Sequence, residues 1–272
     1  MKKRLLFGFS LLFIFCLPIA AQITEVLPSS PFIANTATAR TDYWAAFHNP
    51  ASMVQDERFS VALQYENKYL TAALSTELVQ ASYTNPYVNV GLAYSFFGYG
   101  QYSEMMAAVA LARKFGRFSL GLQANLICVY GGESVGYRCT AVPQLGTVVN
   151  ITPKFALGFQ TFNPFIQSLK LTETRRLLPA IYSLGFDYHF RKDMRWDVQA
   201  DYDVNNTFRI ATGYEWEAIQ QLTLKIGVYY YRYVVSCLGI GLHFSGFQAN
   251  ILAEMHPVLG VTFLCQLAYA WK

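Results

Sequence analysis

Apolar and polar residues alternate with a period of two along most of the chain after residue 57. The pattern predicts β-strands with two different faces, because successive side chains of a strand point to opposite sides. The last twelve residues are the clearest case, since every odd position is apolar or aromatic: Val261, Phe263, Cys265, Leu267, Tyr269 and Trp271. Fourteen strands are predicted, at residues 58–66, 68–76, 87–97, 104–115, 117–129, 141–150, 154–162, 180–190, 195–203, 207–216, 221–232, 234–244, 247–255 and 260–271.

The two faces separate most cleanly in the second half of the chain. In residues 180–190, for example, Tyr182, Phe186 and Phe190 alternate with Asp187 and His189. In a transmembrane barrel such an apolar face meets lipid and the polar face lines the lumen. A strand of a soluble, secreted all-β protein has the same alternation, so the pattern alone leaves that alternative open.

Composition favours the membrane. The chain is 53% hydrophobic and 16% aromatic, and only 14% of its residues are charged, against roughly a quarter in soluble proteins. After the N-terminus we find no uninterrupted apolar run of the length that a membrane helix needs. Helices and closed barrels are the two structures that satisfy the backbone inside a bilayer. We therefore predict an all-β protein, a single antiparallel transmembrane β-barrel of about 14 strands.

The N-terminus has the layout of a secretory signal peptide. Lys2, Lys3 and Arg4 precede an apolar run over residues 5–15, and small residues follow at Ala20 and Ala21. We predict a signal peptide at residues 1–21, with cleavage after residue 20 as the alternative. Its removal lowers the number of Lys and Arg from 21 to 18 against 17 Asp and Glu, a net charge of +1. Nothing in this charge indicates a nucleic-acid partner.

The lengths of the predicted connections indicate an orientation. Bacterial barrels combine short periplasmic turns with longer external loops. From the fourth strand onward short links follow even strands, and the long links 130–140 and 163–179 follow odd ones. This pattern places both termini in the periplasm of a Gram-negative bacterium. The first hairpin, with its turn at Asn67-Lys68, is the exception.

The chain ends inside a strand, which suits a barrel whose last strand pairs with its first and leaves no edge. A final strand with Tyr269 and Trp271 near its end resembles the segment that the barrel-assembly machinery recognises. We therefore expect that machinery as a partner during biogenesis, and outer-membrane lipid as the surroundings of the finished barrel.

One segment carries a family resemblance. TDYWAAFHNPASM, with Asn49-Pro50-Ala51, resembles the N-terminal signature of the FadL-type outer-membrane barrels. Further segments look like motifs that recur in a Bacteroidota branch of these barrels, which includes PorV and PorQ of type IX secretion: FFGYGQYSE, ARKFGRFSLGLQ, LPAIYSLGFDYHF, FRIATGYEW and MHPVLG. The resemblance implies fourteen strands and an N-terminal segment folded into the lumen as a hatch. Residues 22–57 would form this hatch, or plug, and residues 58–272 the barrel.

Within the hatch we single out Trp44, Phe47, Asn49, Pro50 and Ala51. Pro50 has a fixed φ and favours an extended conformation at the residue before it, while an Asn side chain bonds nearby backbone. The tripeptide therefore predicts a rigid corner that returns the chain to the first strand, with the two aromatic residues against the lumen wall. The alternative is a disordered periplasmic tail.

Seven charged residues are predicted to face the lumen: Asp187, Asp197, Asp201, Arg209, Glu215, Lys225 and Glu254. On neighbouring strands opposite charges stabilise each other. We expect Arg209 to pair with Asp197 or Asp201, and Lys225 with Glu215. A self-paired or solvated interior is favoured over a substrate site.

Four cysteines follow the signal peptide. Cys128 and Cys139 flank a glycine-rich external loop in an oxidising compartment, where a disulfide is one alternative. We favour two unpaired thiols there, and we expect no bridge between Cys237 and Cys265, which fall on opposite faces. No spacing indicates a metal site, and we expect no cofactor.

Two functions fit such a barrel. The first, which we favour, is passive passage of small hydrophobic molecules across the outer membrane. The alternative is a non-transporting accessory component of type IX secretion or envelope assembly. Their partners would be a hydrophobic ligand or secretion-system proteins. We expect no enzyme, because His243, Ser245 and His256 lack a further catalytic partner in the pattern.

Overall fold

The computed structural model describes residues 27–41, 47–54, 58–133, 135–170, 175–204 and 207–271. Fourteen strands in these residues close into a barrel, and two short strands, β8 and β9, form a separate hairpin. The strands are β1 (Phe59–Asn67), β2 (Ser75–Tyr83), β3 (Asn89–Tyr99), β4 (Tyr102–Phe115), β5 (Phe118–Tyr130), β6 (Tyr137–Thr152), β7 (Phe155–Phe162), β8 (Ser168–Lys170), β9 (Arg175–Leu177), β10 (Ile181–Arg191), β11 (Met194–Asp203), β12 (Thr207–Ile219), β13 (Leu222–Tyr231), β14 (Tyr233–Phe244), β15 (Phe247–His256) and β16 (Gly260–Trp271).

The barrel is antiparallel throughout and closes between its first and last strands. Phe59 of β1 lies opposite Trp271 of β16, and the pairing continues along all nine residues of β1 to Asn67 opposite Phe263. Every other barrel strand pairs with its neighbours along the chain, and β7 pairs with β10 across the hairpin. This confirms the predicted class, a single antiparallel barrel of about 14 strands.

Side chains alternate between the lumen and the outer wall as the sequence predicts. In β16, Leu264, Gln266 and Ala268 are buried inside, whereas Phe263 and Leu267 are exposed outside. The exposed large residues of the other strands are also mostly aliphatic or aromatic. A closed barrel with such an outer wall leaves no backbone group unpaired in hydrocarbon and is a transmembrane β-barrel. Among the described residues, no helix has the length and apolar composition of a membrane span.

The two ends of the barrel differ. We call the end that carries Phe59 and Trp271 the terminal rim and the other end the opposite rim. Five of the turns at the terminal rim have two residues each, and the sixth link there is 84–88. The opposite rim carries the longer links 68–74, 131–136 and 163–180, the last of which contains the β8–β9 hairpin.

The prediction of the second strand was wrong. Residues 68–74 form two short 3-10 turns, with Tyr69 and Leu70 at positive φ, and β2 begins only at Ser75. The true strand was missed because its faces are mixed: Glu77 points outward and Leu78 points into the lumen. The first link therefore has seven residues, and the expected exception at Asn67-Lys68 disappears.

The preference for unpaired thiols was also wrong. β6 begins four residues earlier than predicted, at Tyr137, which brings Cys139 directly opposite Cys128 on β5. Their Cα atoms lie 4.1 Å apart and the two residues form a disulfide. Cys237 and Cys265 are free, the first buried and the second exposed, as their opposite faces predicted.

Candidate functional site

Residues 27–41 and 47–54, which precede β1, lie inside the barrel. We call residues 27–41 and 47–54 the luminal segment. Ile33, Phe47 and Met53 are almost completely buried in it. It is irregular apart from the short 3-10 turns Ile33–Asn35 and Pro50–Met53, so its backbone groups need partners from elsewhere.

The predicted hatch residues that the structure describes are all buried in this segment: Phe47, Asn49, Pro50 and Ala51. Trp44 lies outside the described residues, so its contact with the wall stays a prediction, as does the signal peptide. Asn49 has extended backbone, and its Oδ1 accepts a hydrogen bond of 3.0 Å from the backbone N–H of Ala51. Its Nδ2 donates to the carbonyl oxygen of Thr38 at 2.6 Å. The Asn49 side chain thus holds the corner and ties it to the earlier part of the segment.

Three pairs of glycines in the wall receive the luminal segment. In each pair the two glycines lie directly opposite each other on neighbouring strands: Gly121 with Gly146, Gly158 with Gly185, and Gly213 with Gly227. A Cβ on Gly121 would overlap the backbone of Pro50 and Ala51, and one on Gly158 would overlap Thr38 and Ala39. A Cβ on Gly213 would lie 2.5 Å from Ile33. We call these positions the glycine pairs. The absence of side chains there lets the segment rest directly on strand backbone.

A buried arginine anchors the segment to the charged part of the wall. Arg40 donates two hydrogen bonds to Glu215 of β12, of 2.9 and 2.6 Å, and lies 3.4 Å from Asp197 of β11. Its side chain is 1% exposed. Burial alone would lower the pKa of Arg40, but the two carboxylates outweigh this effect and raise it above its ordinary value. The guanidinium is therefore permanently charged and held on two sides.

Two further cations of the wall reach the backbone of the segment. Arg209 binds Asp201 at 2.5 Å and also donates to the carbonyl oxygen of Ala34. Lys225 lies 3.4 Å from Glu215 and donates to the carbonyl oxygen of Pro31 at 3.3 Å. Of the two partners that the sequence left open for Arg209, the structure selects Asp201, because Asp201 lies directly opposite Arg209 on β11 whereas Asp197 lies opposite Gly213.

The remaining predicted lumen charges also point inward. Asp187 lies 3.1 Å from Arg195, and Glu254 accepts a hydrogen bond of 3.0 Å from the hydroxyl of Tyr229. All seven charges have partners in the wall or the segment. Their arrangement agrees with a self-paired interior.

A belt of amide side chains lines the lumen and supplies the segment with hydrogen bonds. It consists of Gln64, Gln123, Asn125, Gln144, Gln160, Gln199, Asn250 and Gln266. Within the belt Gln144 donates to Gln160 at 3.1 Å. Towards the segment Gln144 donates to the carbonyl oxygen of His48 at 2.7 Å, and Gln199 accepts from the N–H of Thr38 at 2.9 Å. The wall therefore satisfies backbone groups that an irregular chain cannot pair by itself.

Part of the lumen wall on β1–β6 is apolar. We call the apolar strip the inward-facing side chains of Ala62, Leu78, Ala93, Met106, Ala108, Ala110, Ala112, Ile127 and Val142 on β1–β6. Phe32, Phe47 and Met53 of the luminal segment belong to the same buried cluster. The strip occupies four consecutive inward positions of β4, from Met106 to Ala112, and so runs along this strand. The segment is thus held by ion pairs and hydrogen bonds from the charged residues and the amide belt, and it packs against the apolar strip.

The β8–β9 hairpin covers the apolar strip at the opposite rim. Leu169 and Leu178 are buried, and Leu178 packs in the same cluster as the strip. Arg176 of β9 forms an ion pair of 2.5 Å with Glu104 of β4, a carboxylate that is fully buried. The hairpin is thereby fastened over the mouth of the barrel.

Sequence reasoning missed Arg40, the amide belt and the hairpin contact of Glu104. A signal for the glycine pairs was present, because a glycine inside a strand often marks close backbone approach. The terminal residues Tyr269 and Trp271 lie at the seam, where the Trp271 ring is 4.3 Å from that of Phe59. Their role as an insertion signal stays a prediction.

Together, the closed barrel, the apolar outer wall and the filled lumen define a transmembrane β-barrel with an internal segment. The toluene transporter TodX of P. putida has a similar fold, with a TM-score of 0.65 at 10% identity over 90% of this chain and 99% of TodX. The monoaromatic hydrocarbon channel CymD has a TM-score of 0.62 at 10% identity, over 87% of this chain and 94% of CymD. A FadL homologue of Pseudomonas aeruginosa gives 0.61 at 14% identity, over 87% and 96%.

No protein-family profile and no curated protein sequence matches this chain. The likeness to these three proteins is therefore a likeness of fold. It agrees with the FadL-type architecture that the Asn49-Pro50-Ala51 segment suggests. The assignment to a PorV- and PorQ-like Bacteroidota branch stays a prediction.

Proposed function

We propose that the protein is an outer-membrane channel for passive passage of small hydrophobic molecules, with both termini in the periplasm. The apolar strip carries this proposal. It runs along β4, which crosses the barrel wall, and Phe32, Phe47 and Met53 pack against it. A hydrophobic molecule that replaced these side chains would find an apolar surface of the same kind. The similar folds of proteins described as a toluene transporter and a monoaromatic hydrocarbon channel support the same function.

The luminal segment is the part that must move. It is not a strand of the barrel, so its displacement breaks none of the ladder hydrogen bonds that close the wall. Its hydrogen bonds and ion pairs go to the amide belt and the charged residues, whereas Phe47 and Met53 meet the apolar strip through van der Waals contacts. We therefore infer that passage requires displacement of the segment from the wall, which uncovers the apolar strip.

A reversible cross-link tests this function. The Cβ of Thr38 lies 3.4 Å from the position that a Cβ on residue 185 would take, close to the separation in disulfides. The variant Thr38→Cys with Gly185→Cys, made with Cys237→Ala and Cys265→Ser, fastens the segment to the wall. Uptake is followed in Gram-negative cells by the fluorescence of N-phenyl-1-naphthylamine, an apolar probe. We expect uptake with the native protein, little uptake with the oxidised variant and recovery after reduction.

The matched control is Gly185→Cys alone in the same background, treated with the same oxidant and reductant, because the reductant also opens the native bridge. Its uptake should not respond to oxidation. Equal uptake by cells with and without the native protein would refute the channel function. Uptake by the locked variant at the native level would show that passage does not need the segment to move.

A further inference from the structure

A groove crosses the outer wall of the barrel between β10 and β15. It has a volume of about 770 Å³ and is lined by apolar and aromatic side chains that include Phe190, Trp196, Tyr214 and Met255. Ligand pockets usually have roughly 300–1,000 Å³. These side chains point away from the lumen, so the groove faces the hydrocarbon of the membrane and is separate from the luminal segment.

Small side chains at the middle of the groove create it. Thr212 lies opposite Val228, and Val228 lies opposite Ser236 on the next strand, which leaves a depression between larger neighbours. The indole N–H of Trp196 donates to the Thr212 hydroxyl at 2.8 Å and fixes the ring as a side wall. The depression is thus built into the strands.

The groove continues toward the terminal rim. A smaller depression of about 360 Å³ shares Tyr214, Ile226 and Leu238 with it and reaches Trp216, near the end of β12. Together the two depressions form one extended apolar surface that spans β10 to β15. Such a shape suits an extended hydrocarbon chain better than a compact ring.

Cations stand where the groove meets the terminal rim. Phe190, which lines the groove, is followed directly by Arg191, the last residue of β10, and by Lys192 of the β10–β11 turn, and both are exposed. Asp193 of the same turn lies 3.2 Å from Arg191. Neighbouring turns of this rim add Arg117 and Lys154. Basic residues at a membrane surface attract anionic lipid headgroups.

We propose that this groove and the β10–β11 turn bind one anionic phospholipid of the leaflet at the terminal rim. An acyl chain lies along Trp196, Tyr214 and Leu238, and the headgroup phosphate is held by Arg191 and Lys192. An apolar groove and a cationic turn adjoin at the level of the headgroups, and an amphiphile with a negative head matches both. A zwitterionic lipid also fits the groove, but its electrostatic attraction to the two cations is weaker.

Native mass spectrometry of the purified barrel tests the site. The protein is released from detergent that contains equal amounts of phosphatidylglycerol and phosphatidylcholine with identical chains. We expect one phosphatidylglycerol to be retained preferentially, by about fivefold or more, the effect of one basic residue at an anionic surface. The double variant Arg191→Gln with Lys192→Gln should lose the preference. Ser236→Trp, which fills the groove, should lower retention of both lipids.

A matched control removes two exposed cations from the opposite rim, Arg138→Gln with Arg175→Gln, and should leave the preference unchanged. Heat-modifiable migration on gels checks that each variant is folded, and Ser236→Leu replaces Ser236→Trp if the larger residue prevents assembly. Equal retention of the two lipids by the native protein would overturn the proposal. So would a preference that survives the Arg191 and Lys192 changes or disappears with the control.

Discussion

Arg40 and Glu215 are joined by two hydrogen bonds inside the barrel, although 175 residues separate them in the sequence. One residue belongs to the luminal segment and the other to β12. Because the guanidinium is buried, the pair fixes where the segment crosses the charged side of the lumen. The glycine pairs and the amide belt then determine how closely the luminal segment approaches the wall.

Replacement of Arg40 should release the luminal segment. Arg40→Met leaves Asp197 without its cation and takes one of two cations from Glu215, and loss of one partner of a buried ion pair typically costs about 3–5 kcal/mol. We expect much faster proteolysis within residues 27–54 of the folded barrel. Arg58→Gln, at an exposed position just before β1, serves as the control. Unchanged protease resistance in Arg40→Met would contradict the anchoring role.

The glycine pairs make a second prediction. Gly158→Val places a side chain where Thr38 and Ala39 now lie, and such overpacking typically costs about 1–3 kcal/mol. The barrel should still assemble with an unchanged circular dichroism spectrum, but the segment should be cleaved rapidly. Gly100→Val is the matched control, because a Cβ there meets nothing within 4 Å. Equal cleavage of the two variants would argue against the contact.

The Cys128–Cys139 bridge should stabilise the barrel against unfolding. It closes a loop with a sequence separation of 11, for which chain entropy gives about 3 kcal/mol as an upper value. Cys128→Ser with Cys139→Ser should therefore lower the midpoint of denaturant unfolding in detergent. Cys265→Ser, which removes an exposed free thiol, should leave it unchanged. Labelling of the unreduced native protein at more than two thiols would show that the bridge is absent.

Docking of the segment should weaken in acid. Burial lowers the pKa of His48 to about 4, whereas a released, solvated histidine has its ordinary value near about 6.5. Between these values the released state binds a proton that the docked state excludes, so docking is strongest above about pH 6.5 and weakens as the pH falls toward 4. Protease accessibility of the segment should rise over this range. In His48→Gln the rise should be smaller, and an identical rise would assign it to another group.

The strands from β10 onward were predictable because their faces differ in chemistry at nearly every position. Tyr182 to Phe190 alternate aromatic or apolar with polar, and lipid outside and ion pairs inside impose the same division on the structure. β2 lacks this division, since Glu77 faces outward and Leu78 inward, and its position was predicted seven residues too early. Period-two patterns identify strands only where the two environments differ.

The site was less predictable than the wall. The seven lumen charges were predicted because each occupies a polar position in an alternation of apolar and polar residues. Arg40 lies in a segment without periodicity, so nothing in its neighbourhood indicates a partner in β12. Gln144 and its belt are neutral side chains with ordinary strand neighbours, and their purpose becomes visible only when a second chain segment lies beside them. Contacts between a regular wall and an irregular segment therefore produce little signal in the sequence around either residue.

The glycine pairs also define the shape of the space that the segment would leave behind. They occur on β5–β6, β7–β10 and β12–β13, so they follow the path of the segment around the wall from Pro50 to Ile33. With the segment gone, the lumen would not be a round bore. It would have a furrow wound across the strands, floored by backbone amides and carbonyls, beside the smooth alanine-rich face of β4. Water would collect in the furrow, and apolar molecules would collect on the alanine face. The same lumen would then contain two separate paths, one polar and one apolar.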